Sequence, residues 1–251
     1  MSKILASVYI ICQNEERHIA RVLESVKDFD EVIVVDSGSS DKTLEIAKGY
    51  TDKIHHQKWL GFAAQKAFAK SLCKHQWVLN LDADEVLTEV LRKEIEETIK
   101  DDKIDALDIK ISSRYMGKFN HTLSRFNRRV RFFKKEKGHY PKKLVHESIE
   151  IEGIVKKADG FILDYGIVDL ETHLNKINSY SSLRAEEKEK KGKQASVAKL
   201  VTIFPFAFLK SFLFKRGFLN GVRGFISATN NAYYAFLKEA KLFEKNNREE
   251  K

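Results

Sequence analysis

The sequence predicts an α/β fold, with a mostly parallel central sheet flanked by helices and a C-terminal helical extension. Three features carry this. Over the first hundred residues, short β-branched apolar runs alternate with amphipathic stretches. Two of those runs end in aspartate, and from about Leu174 the strand signal gives way to helix. Strand–helix alternation of this kind builds a parallel sheet covered on both faces. Ligands of such sheets bind at the carboxyl ends of the strands.

Taken in order, Ile4–Ile11 is a buried parallel strand. Asn14 is placed to cap a helix in which Ile19, Val22, Leu23 and Val26 share one face. Val32–Val35 is a second strand ending in Asp36, Ser37–Asp41 a turn and helix cap, and Thr43–Gly49 a helix. Strand Lys53–His56, helix Phe62–Leu72, strand Trp77–Leu81 and helix Thr88–Lys100 follow. Beyond residue 100 the pattern turns to strands at Ala106–Ser112, Val130–Lys134 and Leu144–Ile149, with further pieces to Leu163. A charge run at Glu186–Lys193 marks a boundary, so residues 1–190 are expected as one domain and 191–251 as a basic, Phe-rich helical extension.

With 251 residues and 43% hydrophobic content, the chain can bury a sizeable core. Two cysteines, Cys12 and Cys73, make no disulfide framework and fit a reducing compartment. The N-terminal apolar run lacks a small-residue cleavage site and reads as a strand, which points to a cytoplasmic protein. Residues 1–100 hold 14 basic against 17 acidic residues, whereas residues 101–251 hold 31 against 19. The first part is therefore weakly acidic and the second strongly basic, which calls for an anionic partner. No nucleic-acid-binding motif accompanies that charge, and no nucleic acid is expected.

Asp82-Ala83-Asp84 closes the fourth strand. One or two carboxylates, completed by phosphate oxygens and water, suffice to hold Mg2+ or Mn2+. Such a cation stabilises a departing nucleoside diphosphate as a Lewis acid. Standing alone, an Asp-x-Asp is more often a solvated turn; its place after a buried strand, in step with Asp36, argues for the site. The segment Asp36-Ser-Gly-Ser-Ser-Asp41 joins a strand-end carboxylate to a glycine turn and a helix start, which suits a nucleoside.

These segments, VYIICQNEE, then EVIVVDSGSSDKT, then LDADE, resemble the family-2 glycosyltransferases in order and spacing over about ninety residues. The resemblance implies the GT-A fold, a nucleotide-diphospho-sugar donor, a divalent metal and inversion at the anomeric carbon. On it, Asn14 and Glu15 face the nucleotide, Asp36 the uracil or ribose, and Asp82 and Asp84 the ribose and metal. Residues 1–100 become a nucleotide-binding half and 101–190 an acceptor half. Many relatives read G-x-x-x-A-R-N where this chain has Gly61-Phe-Ala-Ala-Gln-Lys66-Ala67. Lys66 can meet a phosphate only as a point charge, without arginine's fork.

An inverting transferase also needs a base for the acceptor hydroxyl. The Arg129, Arg131 and Val145-His146-Glu147 segment resembles the branch that glucosylates the lipopolysaccharide inner core. The resemblance implies Glu147 as the base, with His146 orienting it or touching phosphate, against a plain surface His-Glu pair; Arg129 and Arg131 are candidates to bind donor diphosphate or acceptor phosphate, or else form a solvated strand face. His173 resembles a family position near the metal, although a histidine at a helix start is more often structural. The implied partners are a UDP-sugar donor, UDP-glucose first among them, and a lipid-linked saccharide acceptor such as the core heptose. Transfer onto polyprenyl phosphate, or a non-enzymatic membrane or nucleic-acid module, are the alternatives.

The longest uncharged stretch of the tail, Leu200–Leu209, is ten residues and contains Pro205, short of a membrane span. Lys199, Lys210, Lys215, Arg216 and Arg223 punctuate its phenylalanines. That composition fits either a helix pair lying on an anionic membrane surface or a helical subdomain packing its Phe face inward.

Overall fold

The structure is a computed structural model and describes residues 3–140, 149–166 and 169–247. It divides into two compact units. The first comprises Met1–Ser112 and Asn127–Gly166; the second comprises Ser113–Phe126 and Ile167–Lys251.

In the first unit, β1 (Ile4–Cys12), β2 (Phe29–Asp36), β3 (Ile54–His56) and β4 (Trp77–Asp82) pair in parallel in the order β3-β2-β1-β4. Helices α1 (Ile19–Ser25), α2 (Thr43–Lys48) and α3 (Phe62–Ser71) make the crossovers. The sheet extends through β7 (Asn127–Lys134), β6 (Ala106–Ser113), β10 (Val155–Asp164) and β5 (Glu85–Leu87). Here the pairs β4·β7, β6·β7 and β5·β10 are antiparallel, so the sheet is mixed. A parallel pair needs a crossover of a dozen or more residues, usually a helix, and no helix separates β6 from β7. A short two-stranded sheet joins β8 (Gly138–His139) to β9 (Glu150–Ile151).

Both faces of the sheet are covered. One core gathers Val8, Ile10, Leu79 and Phe132 with Ile19, Val22 and Leu23 of α1 and with Leu91 and Ile95 of α4 (Glu89–Asp101). The other gathers Tyr9, Ile11, Val78 and Phe133 with Ala69 of α3 and Cys73. Burial pushes both cysteine thiols up to about 12, and neither is paired.

The second unit packs α5 (Leu170–Lys190) and α6 (Val197–Leu209) against the long α7 (Gly221–Asn246). Between α6 and α7 lie a π-helical turn at Lys210–Phe214 and a 3-10 turn at Gly217–Asn220. The charge run that suggested a boundary contains the end of α5. The tail is less interrupted than its sequence indicates. Val197–Phe214 runs as 18 continuous helical residues of mean hydropathy 1.7, long and apolar enough to cross a membrane by length and composition. Lys199 and Lys210 bound the uncharged run without ending the helix.

Candidate active site

Parallel strands deliver their last residues to one edge, and the register fixes which. Cys12 pairs with Asp36 and Ile11 with Asp82, so both aspartates stand at the same carboxyl end, on either side of β1.

Asp36 is 2% exposed. Its carboxylate accepts the backbone N–H groups of Gly38 at 2.8 Å and Ser39 at 3.0 Å, as well as the Ser39 hydroxyl. Burial pushes its pKa up, but those donors outweigh it and hold the group below its usual value. Asn14 does not cap α1, whose first turn has no side-chain cap. The residue is left-handed (φ +57°), a region asparagine tolerates. Its backbone N–H donates to Ser39 Oγ at 2.9 Å, and its Oδ1 accepts from the Ser40 N–H at 2.8 Å. The Glu15 N–H likewise donates to Thr43 Oγ1 at 2.7 Å. The loops after β1 and β2 are thus laced into one ledge.

Under the other side of that edge lies an ionic network. Lys66 of α3 meets Asp82 Oδ1 at 2.7 Å. Arg131 meets Asp82 Oδ2 at 2.7 Å, Glu85 Oε1 at 2.7 Å and Asn80 Oδ1 at 2.6 Å. The Asp82 N–H donates to Glu85 Oε2 at 2.9 Å, closing the turn from β4 into β5. Arg131 reaches this position through a bulge. Leu107 pairs with Phe132 and Asp108 with Val130, so Arg131 is the extra residue and its side chain is re-aimed. Burial alone would raise Asp82, but the two cations hold it well below the usual carboxylate range. Arg131 is 6% exposed, and its guanidinium pairs with Asp82 and Glu85. Arg129, two residues away, is exposed and has no ion pair among the described residues.

Asp84 is in the opposite situation. It has no cationic partner among the described residues, and burial together with Asp164, Glu85, Asp82 and Glu15 pushes it up to about 8. Its backbone carbonyl accepts the Tyr165 N–H at 3.0 Å. Gly166 lies so close that a Cβ there would come within 1.9 Å of Asp84 Oδ2. This surplus of carboxylate oxygen fits a hard divalent cation. Among the described residues no three His, Cys, Asp or Glu side chains could hold one together. The protein would therefore supply one or two carboxylates, and ligand oxygens and water the remainder.

Glu85, Asn80, Asp164 and Gly166 escape sequence reasoning. Glu85 stands beside the Asp-x-Asp and could have been noticed; Asp164 and Gly166 belong to no local pattern. His173 lies in the second unit. Its ring is edge-on to Tyr115 at 5.4 Å and its Nδ1 lies 3.3 Å from Asn230 Nδ2, with its pKa lowered by burial and Lys176. Glu147 and His146 fall outside the described residues.

The sequence profile of glycosyl transferase family 2 matches residues 7–159. An uncharacterized glycosyltransferase of Rickettsia typhi is 37% identical over 97% of this chain and 88% of its own length. The lipopolysaccharide core biosynthesis glycosyltransferase LpsC of Rhizobium meliloti is 34% identical over 97% of this chain and 93% of its own. The crystal structure of S. aureus TarS 1-349 in complex with UDP-GlcNAc aligns with a TM-score of 0.50 at 15% identity, covering 98% of this chain and 91% of that one. The fold is thus the GT-A type of glycosyltransferases. More particularly, the chain belongs to glycosyl transferase family 2.

Proposed function

We propose that this glycosyltransferase moves a hexose, glucose in the first instance, from a UDP-sugar to a lipid-linked saccharide, the heptose of a lipopolysaccharide inner core, with inversion. The observation that carries the donor half is the contrast between two neighbouring carboxylates. Asp82 is neutralised by Lys66 and Arg131, while Asp84 meets acids and, among the described residues, no cation. The likeness to LpsC, named for lipopolysaccharide core biosynthesis, supports the acceptor half.

In this reading Asp36, with the Asn14–Glu15 ledge, holds the nucleoside. Asp84 is the main carboxylate toward Mg2+ or Mn2+, with Asp82 beside it. When bound, that cation neutralises charge on the departing diphosphate. Lys66 reaches the donor only through Asp82, which it holds in place. Arg129 offers its exposed guanidinium to a diphosphate or acceptor phosphate. Glu147, oriented by His146, takes the proton of the acceptor hydroxyl as its oxygen bonds to the anomeric carbon and the bond to UDP breaks. His173 steadies the second unit. The acceptor is presented at an anionic membrane surface on the cytoplasmic side.

The deciding experiment is the melting temperature of the purified protein against a panel of nucleotide sugars, with and without Mn2+. A ligand bound only to the native state raises it by mass action. A shift with one UDP-sugar that requires Mn2+ and is absent in Asp84→Asn is the expected result. A folded protein that shifts with no nucleotide sugar overturns the reading. Turnover retained in Glu147→Gln would instead favour an acceptor phosphate as nucleophile, since a phosphate needs no base.

A further inference from the structure

Helix α6 is inverted relative to a helix of a water-facing bundle. Leu200, Ile203, Ala207, Phe208, Ser211 and Phe212 recur at helical spacing and are the half-buried positions of the Val197–Phe214 segment. The side turned away from them is exposed and also apolar: Phe206 is 65% exposed, Leu209 47% and Leu213 49%, and Val201 and Phe214 are exposed beside it. No residue of α6 is buried. Past the turn, Phe218, Val222 and Phe225 are exposed as well. Water-facing helices place polar residues there, and an apolar patch this continuous marks a surface that meets another apolar phase.

Hydropathy alone would make Val197–Phe214 a membrane span, but its packing argues otherwise. Helix α6 lies along α7, which also carries charged pairs to its neighbours. Buried Glu239 pairs with Lys199 of α6 at 3.0 Å and with Lys188 of α5 at 2.5 Å. Lys241 Nζ donates to Asn178 Oδ1 at 2.7 Å and Ser181 Oγ at 2.8 Å. A helix strapped along such a partner cannot enter hydrocarbon without carrying these charges with it.

The far end is apolar: Phe212 packs on Phe208 at 5.5 Å, Phe218 at 6.4 Å and Phe225 at 6.0 Å. Lys210 and Lys215, at this end, have no acidic partner among the described residues. Cations beside a Phe-rich face match the level of anionic headgroups.

We propose that α6, the turns after it and the start of α7 form an in-plane insertion element, whose outer apolar stripe sinks into one leaflet of an anionic bilayer while α5 and the rest of α7 stay in water. This deepens the reading of a lipid-linked acceptor by naming the surface that brings the enzyme to it.

The test uses the full chain with phosphatidylcholine vesicles, with and without phosphatidylglycerol. Sedimentation with the anionic vesicles is expected. The double variant Phe206→Ser/Phe214→Ser should weaken it by on the order of tenfold or more while leaving the far-ultraviolet spectrum unchanged. Phe206→Trp should add a fluorescence component quenched by brominated acyl chains, and alkaline carbonate should release the protein. A folded chain that ignores anionic vesicles, a serine variant that binds like the parent, or carbonate-resistant insertion would each overturn the proposal, the last in favour of a span. Vesicle binding needs no sugar nucleotide, so it can succeed where the donor panel fails. Turnover on a soluble acceptor without vesicle binding would sink this surface alone.

Discussion

Arg131 and Gly166 are the residues at which the site is most exposed to single changes. Arg131→Met strips the cation from two carboxylates at once and leaves buried Glu85 unpaired. Breaking a buried pair from one side costs about 3–5 kcal/mol, readable as a lower urea midpoint. Arg131→Lys should recover only part of it, because an ammonium cannot present a planar fork to Asn80, Asp82 and Glu85 together. Gly166→Ala acts by geometry instead. Its methyl would meet Asp84 Oδ2 at 1.9 Å, so the carboxylate must turn away. Misplacement of about 1 Å can cost on the order of 100-fold in rate. Turnover should fall by that order, and the Mn2+-dependent melting shift with a UDP-sugar should disappear. If both persist, Asp84 is not the carboxylate that the donor site uses.

At the level of elements, the opposite edge of the sheet carries its own polar anchor. Glu31 of β2 is buried and accepts the Ser7 hydroxyl of β1, the Lys53 ammonium and the Lys74 N–H, the last at 2.7 Å. Burial pushes Glu31 up, yet Lys53, Ser7 and Lys74 together bring it below its usual 4.5. A carboxyl lowered on folding stabilises above its unfolded pKa, and that stabilisation is lost as pH falls through the folded value. Glu31→Gln should therefore lower stability at pH 7 by about 1.5–3 kcal/mol. The gap to the parent should close as the urea midpoint is followed into acid below pH 4.5. A gap independent of pH would mean that packing, not charge, is what the substitution removes.

Charge is the property of the whole molecule that reaches furthest. Under the proposed function, the excess of basic residues beyond residue 100, 31 against 19, is what attracts an anionic acceptor. Raising ionic strength from about 0.1 to 1 M shortens the screening length from about 10 to 3 Å. The KM for a phosphorylated, membrane-borne acceptor should rise steeply over that range, while turnover on a soluble neutral acceptor should change little. Equal sensitivity of the two would remove long-range attraction from the account.

Much of the fold was legible because its signals are local. Strand period, the glycine turn after Asp36 and the spacing of the Asp-x-Asp all lie within a few residues, and the parallel half follows from them. The ends of β1, β2 and β4 had to share an edge, because parallel strands can deliver them nowhere else. Tertiary structure alone decided how charge is assigned there. Lys66 reaches forward sixteen residues to Asp82, and Arg131 reaches back forty-nine, through a bulge that no periodicity announces. Asp164 and Gly166 arrive from the end of β10 to crowd Asp84. Likewise, composition named an apolar tail, but only packing against α7 showed which stripe of α6 is left facing out. Local sequence determines what a segment can become; which charges are cancelled and which faces are covered depends on partners far along the chain, and only the folded chain brings those together.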